Sequence, residues 1–121
     1  MKVAATIAVL YGSGEVELSF LRQNGRLEHL MPVFKKHNDL VSAQFLTEFL
    51  ELKDANTLEF YNTGQRANVY SSIKEYMTTI DQQAHNYLFK DGQWYVLMLS
   101  HADQWLTIDE AWEIEQAARA E

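Results

Sequence analysis

Cysteine is missing from this 121-residue chain. No disulfide framework and no thiolate metal site is open to it, so the fold must stand on packing, as suits a reducing cytoplasm, the expected location. Proline occurs once, at Pro32, and glycine only five times. No linker, low-complexity segment or internal repeat appears. Long apolar runs are also missing, and none approaches the roughly 18 residues that a membrane-spanning helix needs. Basic residues are scarce: 10 Lys and Arg stand against 17 Asp and Glu, a net charge of −7. That field repels phosphate backbones, so duplex nucleic acid is not an expected partner.

Against these absences stand 47% hydrophobic and 22% charged residues, a balance expected of one soluble domain spanning residues 1–121. The opening "MKVAATIAVLYGSGEVELSF" has a lysine before an apolar stretch, as secretion signals do. Gly12-Ser13-Gly14 interrupts it, and Glu15 to Leu18 then alternate as a strand does. This predicts a first hairpin at about 2–22, with Val16, Leu18 and Phe20 on one face and a wet face of Glu15, Glu17 and Ser19.

The clearest local signal is "YLFKDGQWYVL", residues 87–97. Asp91-Gly92 between apolar runs predicts a two-residue hairpin, because its turn needs positive φ at both positions. A second hairpin over about 84–99 follows, pairing Phe89 with Trp94, Leu88 with Tyr95 and Tyr87 with Val96. One face collects Tyr87, Phe89, Trp94 and Val96. The other carries Leu88, Tyr95 and Leu97 beside Asn86, Lys90 and Gln93, a mixed face on which a partner or ligand has room to sit.

Three helices are read around these hairpins. Val41, Phe45, Phe49 and Leu52 recur at helical spacing and predict a helix over about 40–52, capped by Asn38 or Asp39. Ser72 and Glu75 have capping-box spacing before Ile73, Tyr76, Met77 and Ile80, which predicts a helix over about 72–80. Thr107 and Glu110 repeat that spacing before a C-terminal helix at about 108–119. Leu27, Leu30, Met31 and Phe34 also fall at helical spacing, with Pro32 either kinking that helix or starting it. The expected fold is therefore α+β: an antiparallel sheet from the two hairpins, packed against the helices at 40–52 and 72–80. Phe89, Trp94, Val16 and Leu18 are expected to share one core.

Catalytic and metal signatures are weak. His29, His37, His85 and His101 lack the close helical pairing of a zinc-protease motif. "YGSGE" and "NTGQ" lack the lysine of a phosphate loop, and no serine sits in a nucleophile elbow. No catalytic residue, metal or cofactor is assigned, and a non-enzymatic protein is expected. Candidate partner-binding residues are Tyr87 and Tyr95 on the hairpin with Asp109, Glu110 and Glu113, an acidic strip suited to a basic partner. Two alternatives come from other classes. One is a small-molecule or nucleotide-binding domain, or sponge, with Arg22, Arg26 and Arg66 reading phosphates. The other is a small enzyme centred on His85, His101 and Asp103. A homo-oligomer is compatible with either.

The order of segments also carries a resemblance. "TIAVLYGSGEVELSFL", "QNGR", "LEHLMPVFKKHNDLVSAQFLTEFLELKD" and "HNYLFKDGQWYVL" together resemble small proteins common in phages, prophages and plasmids. Those proteins begin with a hairpin, continue through an aromatic turn and a helix, and close on a "YxFKDGxWYV"-like hairpin. Here "FLRQNGRLEH" stands in place of the aromatic turn, with Gly25 matching. The resemblance implies a mobile-element accessory protein of the host cytoplasm, one that binds and inhibits or modulates a host or defence protein.

Overall fold

The computed structural model describes residues 4–80, 85–97 and 104–120. Among them, eight strands form one mixed sheet, accompanied by four α-helices, so the fold is α+β. The chain runs β1 (Ala5–Leu10), β2 (Val16–Leu21), α1 (Leu27–Lys36), α2 (Leu40–Gln44), a 3-10 turn (Phe45–Thr47), β3 (Phe49–Asp54) and β4 (Glu59–Arg66). It continues through β5 (Asn68–Tyr70), α3 (Ile73–Thr79), β6 (His85–Lys90), β7 (Gln93–Leu97), β8 (Trp105–Thr107) and α4 (Ile108–Ala120). The strand order is β4-β3-β2-β1-β6-β7-β8, and β5 pairs with β2.

Both hairpins form as the local chemistry dictates. Asp91 and Gly92 take φ of 52° and 79°, the two positive values that a type I′ turn requires. Phe89 then opposes Trp94, Leu88 opposes Tyr95 and Tyr87 opposes Val96, the predicted register. In the first hairpin Ala8 opposes Leu18 and Ile7 opposes Ser19, and Gly14 closes the turn at φ 94°. Between the hairpins the pairing is parallel: Ile7 lies beside Tyr87 and Val9 beside Phe89. A second parallel pair sets Leu21 beside Leu52. The sheet is thus antiparallel within each hairpin and parallel at two seams. Parallel neighbours need a crossover of a dozen or more residues, which the segment carrying α1 and α2 supplies between β2 and β3.

Apolar side chains fill both faces of the sheet. On the first face Ile7, Val9, Leu21, Tyr87, Phe89, Trp94 and Val96 pack with Leu30, Val33 and Phe34 of α1, Leu46 and Ala111. On the second, Ala8, Val16, Leu18, Leu88 and Leu97 pack with Tyr76 and Ile80. Val16 and Leu18 therefore do not share a core with Phe89 and Trp94. Strand alternation sends them to the opposite side, where α3 covers them. The helix at 72–80 lies on that second face, across the sheet from the segment at 40–47, rather than beside it.

Two further expectations change. The helix read over 40–52 ends at Gln44; a 3-10 turn follows, and residues 49–54 are strand β3. Tertiary bonds redirect the chain there, because Thr47 Oγ1 donates to Glu17 at 2.8 Å and Ser19 Oγ donates to the Phe49 carbonyl. The face read as wet is also largely covered: Ser19 is fully buried and Glu17 partly so, while Phe20 on the other face is 39% exposed. Hydroxyl and carbonyl partners make that burial tolerable.

Helix ends follow their caps. Asp39 caps α2 by accepting from the Ser42 amide at 2.8 Å. At α4 the capping box closes in both directions: the Thr107 amide donates to Glu110 at 2.9 Å, and the Glu110 amide to Thr107 Oγ1 at 3.2 Å. The first helix begins at Leu27 and continues through Pro32, which sits on its exposed side.

Candidate functional site

Ala43, Leu46 and Thr47 of the segment at 40–47 face the sheet and are buried. Its other side carries a second apolar stripe, Val41 and Phe45, four residues apart and hence neighbours on a helical surface. Val41 is 68% exposed and Phe45 51%. The outer wall of the segment is therefore apolar, and it leans over a cleft of about 330 Å³ lined by Tyr11, Glu17, Val41, Gln44, Phe45, Glu48 and Arg66. A helix with apolar stripes on two sides must leave one in water or against something else.

The cleft floor is a fixed carboxylate. Tyr11 donates its hydroxyl to Glu17 Oε1 at 2.8 Å, and Thr47 Oγ1 donates to the same oxygen at 2.8 Å. Both bonds fall on Oε1, which leaves Oε2 without a protein partner among the described residues. Burial first, and the Glu17 bond and charge next, push the Tyr11 hydroxyl up to about 12, so it remains a donor at any physiological pH. On the rim, the Arg66 guanidinium lies 5.6 Å over the Phe49 ring. No carboxylate among the described residues comes within ion-pair distance of it. Phe49 in turn meets Phe60 edge-on at 5.2 Å, which steadies the platform under Arg66.

A second cleft, of about 370 Å³, opens where the Asp91-Gly92 turn meets α1 and the start of α4. Met31, Phe34, Lys35, Asn38, Gln93, Ile108 and Asp109 line it. Beneath it Trp94 is 2% exposed, stacked on Phe34 at 4.3 Å between centroids and donating Nε1–H to the His37 carbonyl at 2.7 Å. The tryptophan is committed to the core and offers a partner no edge.

The residues singled out in the sequence fall in several places. Tyr87 is fully buried, its hydroxyl donating to the Gly25 carbonyl at 2.7 Å, so it presents no surface to a partner. Burial raises its hydroxyl pKa well above the usual tyrosine range, which keeps that donor in place. Tyr95 is half-buried on the second face beside Ile73, Leu88, Lys90 and Trp105, around a small cleft of about 130 Å³. Asp109, Glu110 and Glu113 are exposed. Of these, Asp109 reaches the second cleft and Glu110 is engaged in the capping box, whose backbone and side-chain bonds from Thr107 hold its carboxyl below the ordinary range.

The three arginines do not converge on one pocket. Arg22 pairs with Glu51 at 2.5 Å and lies 5.2 Å over Tyr61, while Arg26 is exposed at the start of α1. Only Arg66 lines the cleft under Val41 and Phe45. His101 and Asp103 lie outside the described residues. His85 is half-buried, and its Nδ1, like Glu115 Oε2, is a buried atom with no hydrogen-bond partner among the described residues. Burial chiefly lowers the His85 pKa, Glu115 opposes that shift, and Arg26 adds to it.

The cleft residues Tyr11, Glu17, Val41, Phe45 and Glu48 escaped sequence reasoning. The stripe Val41–Phe45 is visible as helical spacing, and that spacing alone predicts a core-facing side. Its competitor, Ala43–Leu46–Thr47 at the same spacing, was the signal that one of the two stripes had to face outward. No protein-family model, curated protein or solved structure matches this chain. No described helix is long and apolar enough to cross a membrane.

Proposed function

We propose that the protein is a non-enzymatic binding protein that docks a partner protein on the outer face of the segment at 40–48. The observation that carries this is the exposure of Val41 and Phe45, with Leu40 at 39%, beside a cleft that holds charged groups. A soluble domain rarely leaves large apolar side chains grouped in water without use. Aromatic and aliphatic anchors beside a polar rim are the usual composition of a docking patch. With a net charge of −7, the partner that suits it has an apolar patch rimmed by basic residues.

Within this reading, the resemblance to phage and plasmid accessory proteins supplies the finer role, binding and inhibiting or modulating a host or defence protein in the cytoplasm. Affinity capture from host lysate tests both. Wild type should retain one basic protein that the Val41→Asp/Phe45→Asp variant loses and the Asp109→Lys/Glu113→Lys variant keeps. Equal retention by wild type and the apolar variant would remove this surface from consideration.

A further inference from the structure

The cleft beneath the docking stripe has a chemistry of its own. Its floor holds Glu17, pinned through Oε1 by Tyr11 and Thr47, with Oε2 uncommitted among the described residues. Its rim holds Arg66, carried on the Phe49 ring and paired with no carboxylate among the described residues. The same cleft is lined by the apolar side chains of Val41 and Phe45. A fixed anion, a fixed cation and an apolar surface inside one cleft are complementary to a molecule that carries the same three features in reverse.

The geometry points to a binding site for a zwitterionic small molecule of the amino-acid class with an apolar side chain. Its ammonium lies against Glu17 Oε2, with Glu48 beside it, its carboxylate takes the Arg66 guanidinium, and its side chain covers Phe45 and Val41. Arginine suits the carboxylate because its planar fork donates two parallel N–H groups. A phosphate is a poor fit, since Glu17 and Glu48 would face its charge. A simple amine leaves Arg66 unused, and a simple acid leaves Glu17 unused. The volume of about 330 Å³ is at the small end of the roughly 300–1,000 Å³ range for ligand pockets, the size for a single amino acid rather than a nucleotide. This site shares Val41 and Phe45 with the docking stripe proposed above, and it is tested on the isolated protein, with no partner present.

Titration of the ¹⁵N-labelled protein with L-phenylalanine and L-leucine provides the test. Phenethylamine, 3-phenylpropanoate and glycine serve as probes that each lack one of the three features. The amino acids should shift the amides of Tyr11, Glu17, residues 41–48 and Arg66, and each incomplete probe should bind about tenfold more weakly or worse, the loss of one good charged or apolar contact. Arg66→Gln, an exposed substitution that leaves the fold intact, should weaken the amino acids about tenfold while leaving phenethylamine unchanged. Glu17→Gln, which keeps the acceptor for Tyr11 and Thr47, should show the converse with 3-phenylpropanoate. Absence of shifts with every amino acid, or phenethylamine binding as tightly as phenylalanine, would overturn the assignment. Failure here leaves protein capture by the apolar stripe untouched, so the two proposals fail separately.

Discussion

The hairpin at 85–97 and the segment at 40–48 both carry apolar side chains at the period of their own secondary structure. Their fates differ. The hairpin supplies Tyr87, Phe89, Trp94 and Val96 to one core and Leu88 and Leu97 to the other, so both of its faces are covered. The segment buries Ala43, Leu46 and Thr47 and leaves Val41 and Phe45 in water. Position explains the difference: the hairpin sits inside the sheet, between β1 and β8, and has neighbours on every side. The segment lies over the first face of the sheet, so it has a neighbour on one side only. An aromatic-rich stretch is therefore no evidence of a binding face, and a regular apolar stripe is no evidence of core, until the number of covering layers is known.

The largest test of this contrast is Trp94→Ala. It removes the stack on Phe34 and the bond to the His37 carbonyl and opens a cavity, so chemical denaturation should show a loss of about 3–5 kcal/mol. A loss under about 1 kcal/mol would place Trp94 outside the core and dissolve the contrast. Tyr87→Phe is milder and more specific. It leaves the ring and deletes the hydroxyl that satisfies the buried Gly25 carbonyl, and an orphaned buried acceptor costs about 1–3 kcal/mol. Were Tyr87 a partner contact instead, the substitution would alter association and leave the denaturation midpoint in place.

Protonation gives a third test, at the start of the same hairpin. Burial holds His85 below its ordinary value of 6.5, so on acidification the unfolded chain takes up this proton before the folded one. The stability tied to neutral His85 is complete above about 6.5 and drains away as pH falls through that value toward the lower folded one. Denaturation midpoints should decline across that window, and His85→Gln should flatten the decline. At the alkaline end the sign reverses. Tyr11 keeps its proton to about 12 against an ordinary 10.0, so stability should fall as pH rises above 10.0, and Tyr11→Phe should make that limb shallower, with the buried hydroxyls of Tyr76 and Tyr87, raised by the same burial, carrying the rest. Midpoints that rise on acidification below 6.5 would show that His85 gains a partner when charged.

What was legible in the sequence divides along the same line. The Asp91-Gly92 turn, the hairpin register, the Ser72 cap, the Thr107–Glu110 box and the α+β class all rest on contacts between residues close in the chain, and the sequence states those directly. The parallel seam between β1 and β6 joins residues about eighty positions apart, and nothing local encodes it. It decides which face each strand shares with its neighbour, hence that Val16 and Leu18 sit under α3, away from Trp94. The end of α2 was obscured likewise, since its bonds to Glu17 and Ser19 come from a strand some thirty residues earlier. Of the candidate site, Arg66 alone reads from the sequence as a binding residue; Glu17 reads as a solvated strand residue until Tyr11 and Thr47 are placed around it.

The smallest predicted effect on stability sharpens the comparison most, because it asks one segment to behave in two ways at adjacent positions. Leu46 is fully buried against the sheet, whereas Phe45 is 51% exposed. Leu46→Ala should cost about 2–5 kcal/mol through lost burial and the cavity it leaves. Phe45→Ser removes a larger side chain, yet most of the lost contact is with water, so its cost should stay within about 0.5 kcal/mol. Size and stability then rank in opposite order at neighbouring residues, which only a two-sided segment with one covered face can produce. The same Phe45→Ser protein should fail to retain the captured partner while its denaturation curve overlays wild type. A substantial loss of stability at Phe45 would mean that the stripe is core, closing the cleft and returning the search for a docking surface to the exposed carboxylates of α4.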